Sequence, residues 1–296
     1  MIQESIRKNY IEHMDKYGFS EAAKYKNKEL KNKKIYKFIP FTDELECENN
    51  NCKKCPYINK NQRTINSLIN KKIWLSKSNN LNDPFEFKII YIDEKRIDKN
   101  SHSSNALNDT LKIIRDNMYL TCFTSDFRDS MPMWAHYANN YKGICLEFKI
   151  IDPKRIYPVI YEKNNRISFN NRLNDYLNLC IKDSKGQLDE RGQKYQQELA
   201  EVISTTFAYK DYVWNYEREY RLLYSDGEPR EDVKGILLNM KETGIELTGI
   251  YIGNRIDEKY KTDIKNIAKE NALDLYEVYM DENSNKVSLA YKPIEI

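Results

Sequence analysis

The chain has 296 residues, 40% hydrophobic and 31% charged, with a formal net charge of +3. That length and apolar content can bury a core without crosslinks, while the near balance of charge gives no electrostatic basis for gripping duplex nucleic acid. No stretch approaches the roughly 20 apolar residues of a membrane span, the N-terminus lacks an apolar signal core, and six cysteines over this length do not form a secreted disulfide framework, so a cytoplasmic protein with no membrane partner is expected.

Residues 1–30 predict an N-terminal helical extension. Ile6, Tyr10, Met14 and Tyr17 recur at helical spacing, Gly18 closes that turn, and Ser20 caps a second helix. Residues 31–296 predict a single α+β domain of mixed, mainly antiparallel sheet with flanking helices, carrying a cysteine-containing insertion at about 43–63. KKIYKFIPF reads as the first strand. TINSLINKKIWLSKS supplies a helix and a strand, and Leu107, Leu111 and Ile114 mark a helix that starts near Ser104 and leads into the strand MYLTCFTS. Ser130 is placed to cap a short helix through MWAHYA.

In KGICLEFK, Ile144, Leu146 and Phe148 alternate with Cys145, Glu147 and Lys149, as in a strand with one buried face, and YPVIYEK is the expected hairpin partner across Asp152 and Pro153. Two periodic helices follow, one holding Leu173, Tyr176, Leu177, Cys180 and Ile181, the other Leu199, Val202, Ile203 and Phe207, and the periodicity assigns Cys180 to the core. WNYEREYRLLY reads as a strand that puts Asn215, Glu217, Glu219 and Arg221 on one face; as a helix it would instead make Glu217 and Arg221 an i,i+4 pair worth roughly 0.2–0.5 kcal/mol. ELTGIYIG, a helix near 258–271 and a hairpin through LYEVYMDENSNKVSLAYKPI complete the chain.

Three groups of residues carry candidate chemistry. Cys47, Cys52 and Cys55 stand at C-x4-C-x2-C spacing in the hydrophilic insertion, where a tetrahedral structural zinc would order the loop with a fourth ligand from His13, His102 or Cys122; an iron–sulfur cluster uses similar spacing, and a reducing compartment also allows free thiols. Asn82, Asp83 and Pro84 form a turn, and Asp83 with Glu86 could meet His136 around a divalent metal as in a metal-dependent hydrolase or nuclease. His136 lies between Trp134 and Tyr137, two rings able to stack on a base while the imidazole moves a proton; a core histidine bonded to a carbonyl is the structural alternative.

YKF at 36–38, WLSKSNNLNDPFE at 74–86, CFT at 122–124, MWAHYANNYKGICLEF at 133–148 and WNYEREYR at 214–221, taken in order, resemble the bacterial domain of unknown function (DUF) 2971 family over most of residues 33–255. That resemblance implies an accessory or defence-island protein, an effector of phage-defence or toxin type. The layout also resembles ADP-ribosyltransferases, and this second likeness implies NAD as substrate, Glu219 as catalytic residue with Glu217 and His136 beside it, and Trp134, Tyr137, Lys37, Asn82 and Arg221 around the dinucleotide. The sequence departs from that pattern at Lys37, which lacks the planar fork of an arginine, and it has no Gly-rich phosphate loop and no clear Ser-Thr-Ser strand, although Ser76 and Thr124 supply hydroxyls. The partners expected are a small molecule or nucleotide, with a protein or nucleic-acid target. A non-catalytic ligand or partner sensor that uses a surface drawn from 23 tyrosines is the reading from a different class.

Overall fold

Gly18, at φ +85°, splits the first apolar stripe into α1 (Ile2–Tyr17) and α2 (Phe19–Leu30). Gly18 itself is the N-cap of α2, so Ser20 falls inside the helix instead of capping it. The computed structural model describes residues 2–42, 60–81, 83, 87, 90–99, 101–127, 130–162, 167–225, 227, 233–281 and 288–295. The next elements are β1 (Lys34–Ile39), α3 (Lys60–Ile69), β2 (Lys72–Lys77), β3 (Ile90–Tyr91), α4 (Ser104–Asp116), β4 (Tyr119–Thr124), α5 (Met131–Tyr137) and β5 (Ile144–Ile150). They are followed by β6 (Ile156–Pro158), β7 (Ile160–Glu162), β8 (Ile167–Ser168), α6 (Asn170–Ser184), α7 (Glu190–Thr206) and β9 (Tyr209–Asp211). A 3-10 turn at Tyr212–Glu217 then leads to β10 (Glu219–Tyr224), β11 (Gly235–Asn239), β12 (Ile245–Ile252), α8 (Glu258–Asn271), β13 (Asp274–Met280) and β14 (Leu289–Pro293). The result is an α+β fold of mixed, mostly antiparallel sheet with flanking helices. Side-chain caps fix several helix starts: Ser103 accepts from the Ala106 amide, Asp189 from Gly192 and Asp257 from Lys259.

The chain divides into two compact units: a first made of Met1–Lys31, Leu75–Cys122 and Pro153–Ile236, and a second made of Asn32–Trp74, Phe123–Asp152 and Leu237–Ile296. In the first unit, Leu107 and Leu111 of α4, Leu173 of α6, Val202 and Ile203 of α7, and Leu120 and Leu223 from the strands share one core. The N-terminal helices are part of this unit. Tyr10 is buried and hydrogen-bonds Thr205 of α7 at 3.0 Å. Lys26 is fully buried, and its ammonium donates to the carbonyls of Pro153 and Ile156, each at 2.9 Å, while lying 4.4 Å from the centre of the Tyr157 ring. A buried ammonium needs such partners, because without them desolvation would be uncompensated.

In the second unit β5 lies between β1 and β12, antiparallel to both; β12 runs parallel to β13 through the α8 crossover, and β13 pairs antiparallel with β14. The expected half-buried β5 is corrected here. Cys145 and Glu147 are as buried as Ile144, Leu146 and Phe148, because the aromatic cluster around Trp134, Tyr36 and Tyr251 also fills the side of the sheet that alternation assigned to water. YPVIYEK is not the hairpin partner of β5 either: β6 pairs with β10, and β7 runs parallel to β9. The chain does turn after Pro153, whose carbonyl accepts from the Ile156 amide at 3.0 Å, but it does not return along β5: the amides of Ile151 and Asp152 donate to the Gly244 carbonyl, and Lys26 donates to the carbonyls of Pro153 and Ile156. On α6 the buried residues are Asn170, Leu173 and Leu179, which leaves Cys180 half-buried rather than in the core.

Gly143 and Gly253 sit where backbones meet. The Gly253 amide donates to the Gly143 carbonyl at 3.0 Å, and a Cβ on Gly143 would run into the Ile39 carbonyl oxygen. Gly143→Ala is therefore expected to lower stability by about 3 kcal/mol, the upper end of overpacking costs, read as a drop in urea midpoint with an unchanged slope. An unchanged midpoint would show that the backbones separate without cost.

Candidate functional site

Four ionisable side chains of the first unit converge on one buried point. Lys210 comes from β9, Glu217 from the end of the 3-10 turn, and Glu219 and Arg221 from β10. All four are at most 8% exposed. The segment WNYEREYRLLY is neither one strand nor one helix. Asp211 caps the 3-10 turn by accepting from the Val213 amide, and Arg218, left-handed at φ +45°, ends it and starts the strand at Glu219. Strand alternation then puts Glu219 and Arg221 on one face, as expected, whereas Glu217 reaches them through the turn.

The geometry is charge-balanced. The Lys210 ammonium donates to Glu217 Oε2 at 2.6 Å and to Glu219 Oε2 at 3.0 Å. Arg221 grips Glu219 with both arms of its fork, Nε to Oε1 at 2.7 Å and Nη2 to Oε2 at 3.1 Å, while Nη1 donates to the Phe207 carbonyl. Its guanidinium carbon lies 5.5 Å from the Phe87 ring centre. The Glu219 backbone is held as well: its amide donates to the Tyr161 hydroxyl at 2.8 Å, and Arg7, stacked on the Tyr161 ring, donates to its carbonyl at 3.4 Å. Burial alone would raise the Glu219 carboxyl, but the charges of Arg221 and Lys210, with hydrogen bonds from Arg221 and the Cys122 thiol, override it and hold the acid well below the usual carboxylate range. Burial and the neighbouring Glu219 charge push the Tyr161 hydroxyl up.

Aromatic side chains rim this cluster. The Lys210 ammonium lies 4.9 Å from the centre of the Trp214 ring, and Trp214 lies 6.2 Å from Tyr216. Tyr212, Val213 and Tyr216 on the same 3-10 turn are exposed. An acid held ionised out of water, as Glu219 is, with aromatic surface beside it can stabilise positive charge on a ring substrate.

Glu217, Glu219 and Arg221 are thus brought together, with Lys210 as a member that sequence reading missed; a lysine seven and nine residues before the two acids has no recognisable spacing. Of the other candidates, Lys37, Trp134, His136 and Tyr137 belong to the second unit. His136 is exposed on α5 and Tyr137 is half-buried. Trp134 is fully buried, with Phe38 edge-on at 5.1 Å and Tyr141 stacked at 5.6 Å. Lys37 lies on β1, 5.8 Å from the Phe123 ring centre. Asn82, Glu86, Cys47, Cys52 and Cys55 lie outside the described residues. Of the suggested fourth zinc ligands, His13 Nδ1 hydrogen-bonds the Asn9 carbonyl, His102 Nε2 bonds Asn178, and Cys122 bonds Glu219. Among the described residues, no group of three or more His, Cys, Asp or Glu could hold a metal.

Sequence reading also passed over the second unit's own buried acid, Glu147. It takes Thr248 Oγ1 at 2.8 Å and the Lys34 ammonium at 2.8 Å on one oxygen, and the Tyr251 hydroxyl at 3.2 Å on the other. A bulge in β12 between Leu247 and Gly249 sets Thr248 at that acid.

The model of the family described as protein of unknown function (DUF2971) matches residues 133–222, bearing out the family resemblance over the stretch from α5 to Leu222, which includes the whole Lys210–Arg221 cluster. No curated protein and no solved structure matches the chain. No helix among the described residues is long and apolar enough to cross a membrane.

Removing one cation from a buried set strands a charge. Lys210→Met should cost about 3–5 kcal/mol of stability, and adding Glu217→Gln should recover part of that loss, which a double-mutant cycle in urea will read; strictly additive losses would show that the two side chains do not interact. The pH dependence has a definite sign. Glu219 is held below its unfolded value, so its contribution is complete above about pH 4.3 and is lost as pH falls below that toward the native value. The urea midpoint should therefore fall on acidification below about pH 4, and less steeply in Glu219→Gln than in the wild type.

Proposed function

We propose that the protein is an enzyme that cleaves the nicotinamide glycosidic bond of NAD, an ADP-ribosyltransferase-like effector of the toxin or phage-defence type that the family resemblance implies. The observation that carries this reading is the convergence of Glu217 and Glu219 on Lys210, with Arg221 gripping Glu219 in a fork. Loss of nicotinamide leaves positive charge on the ribose, and an acid that stays ionised in a water-poor site stabilises that charge without reorganising. Glu219 is assigned this role, Lys210 and Arg221 keep its carboxylate charged and aimed, and Trp214 with Tyr216 forms the face on which a ring stacks. Trp214 lies over Lys210, which sets that indole beside the acid pair.

NAD turnover by the purified chain tests the reading. Glu219→Gln should lower the rate by roughly 100-fold or more, the usual cost of removing a transition-state charge partner, with circular dichroism as a check that the variant folds. Trp214→Ala leaves all four charges in place and should raise KM more than it lowers kcat. Absence of NAD turnover in the wild type, or full turnover in a folded Glu219→Gln variant, would sink the assignment.

A second reading is favoured by one observation: both acids are matched within the chain by two cations and are at most 4% exposed. In a non-catalytic sensor the same cluster would act as a lock that holds the aromatic turn in shape, and a ligand would bind saturably there without being consumed.

A further inference from the structure

We propose that the second unit carries a binding site for a free anionic amphiphile, an aliphatic carboxylate, independent of the acid pair in the first unit. A cavity of about 570 Å³ lies wholly among residues of the second unit. That volume falls within the roughly 300–1,000 Å³ of small-molecule sites. Its floor is aliphatic: Leu68 of α3, Ile267 of α8, Ile245 of β12, and Met240 and Leu273 from the flanking turns. These side chains face the void from well-packed positions, and the exposed Ile151 continues the apolar surface at the mouth.

The polar groups are arranged unequally. Lys71 and Lys241 both line the cavity, and a backbone hydrogen bond from the Met240 amide to the Lys71 carbonyl at 2.9 Å brings their chain segments together. Both lysines are exposed, and neither has an ion-pair partner among the described residues. The carboxylate in the lining, Glu246, is exposed and stands opposite Lys149 in the β5–β12 ladder, so the lining carries two cationic side chains against one anionic one. Two carbonyls near the end of α8 are occupied: Asn271 Nδ2 donates to that of Ile267, and the Leu273 amide donates to that of Ala268. A carboxylate head between the two ammonium groups, with its chain laid over the aliphatic floor, would use both features. A cation of the same shape would be repelled, and a small anion without a chain would leave the floor wet.

The test is calorimetric titration of the full chain with dodecanoate below its aggregation concentration, alongside dodecyltrimethylammonium as a probe of equal chain and opposite charge. The expected result is one saturable dodecanoate site, weakened about tenfold or more by the K71E/K241E pair, with the cationic probe binding at least about tenfold more weakly to the wild type. Both lysines are exposed, so the pair should fold; K71Q/K241Q serves as a milder variant and should weaken binding by a smaller factor. Leu68→Trp, which fills the floor without touching charge, should also abolish the site. Unsaturable partitioning, equal affinity for the two probes, indifference to charge reversal in a folded protein, or association with phosphatidylglycerol vesicles in the absence of any response to free dodecanoate would each overturn the proposal.

Discussion

The first unit depends on how it handles four charges taken out of water. Each ion costs several kcal/mol to bury, and the cost is recovered only where every oxygen and every N–H meets a partner at good geometry. Here Lys210 donates to both acids and Arg221 grips both oxygens of Glu219, so each of the four charges has an opposite charge within hydrogen-bond distance. The condition also fixes the backbone: Arg218 is left-handed so that Glu217 can turn back toward Glu219, and Asp211 caps the turn that carries Trp214. Arg7 and Tyr161 then hold the main chain of Glu219 from α1 and β7. Charge satisfaction in this unit therefore determines local conformation, and it puts an aromatic turn next to an acid that stays ionised.

The second unit solves a similar problem differently. Glu147 lies at the middle of β5 and is satisfied by one lysine, a threonine carried in by a strand bulge, and a tyrosine. Its neighbours are rings: Tyr251 stacks on Tyr276 at 4.9 Å, and Phe127 packs against both Tyr36 and Tyr251. Burial, then the Glu147 charge, pushes the Tyr251 hydroxyl up, which keeps it a neutral donor to the acid. Here the hydrophobic cluster sets the conformation and the acid is accommodated within it. The aliphatic cavity of the same unit is lined by residues of α3, β12 and α8.

Most elements were legible because their signals are local. Helical spacing located α1, α4, α6 and α7, a glycine divided α1 from α2, and alternation located β5. The errors share a cause. KGICLEFK looked half-exposed because Cys145, Glu147 and Lys149 alternate with aliphatic residues, yet alternation cannot say whether a second layer will cover the polar side. YPVIYEK is next to β5 in sequence, but its two strands pair with β10 and β9, much further along the chain, which alternation within one segment cannot foresee. In the candidate site Glu217, Glu219 and Arg221 could be named from the E-x-E pattern, whereas Lys210 could not, since a strand, a turn and a second strand must fold before its ammonium meets both acids.

The amino-acid order alone determined which residue types stand on which stretch, because periodicity, capping and turn chemistry act within a few residues of the backbone. It therefore specified the α+β class, most element positions and the acids of the E-x-E run. Only the tertiary structure decided which charges share a partner, since ion pairing and burial depend on distances between segments far apart in the chain. It gave Arg221 to Glu219, made Lys210 the bridge between two carboxylates, and sealed Trp134 in a core between Phe38 and Tyr141.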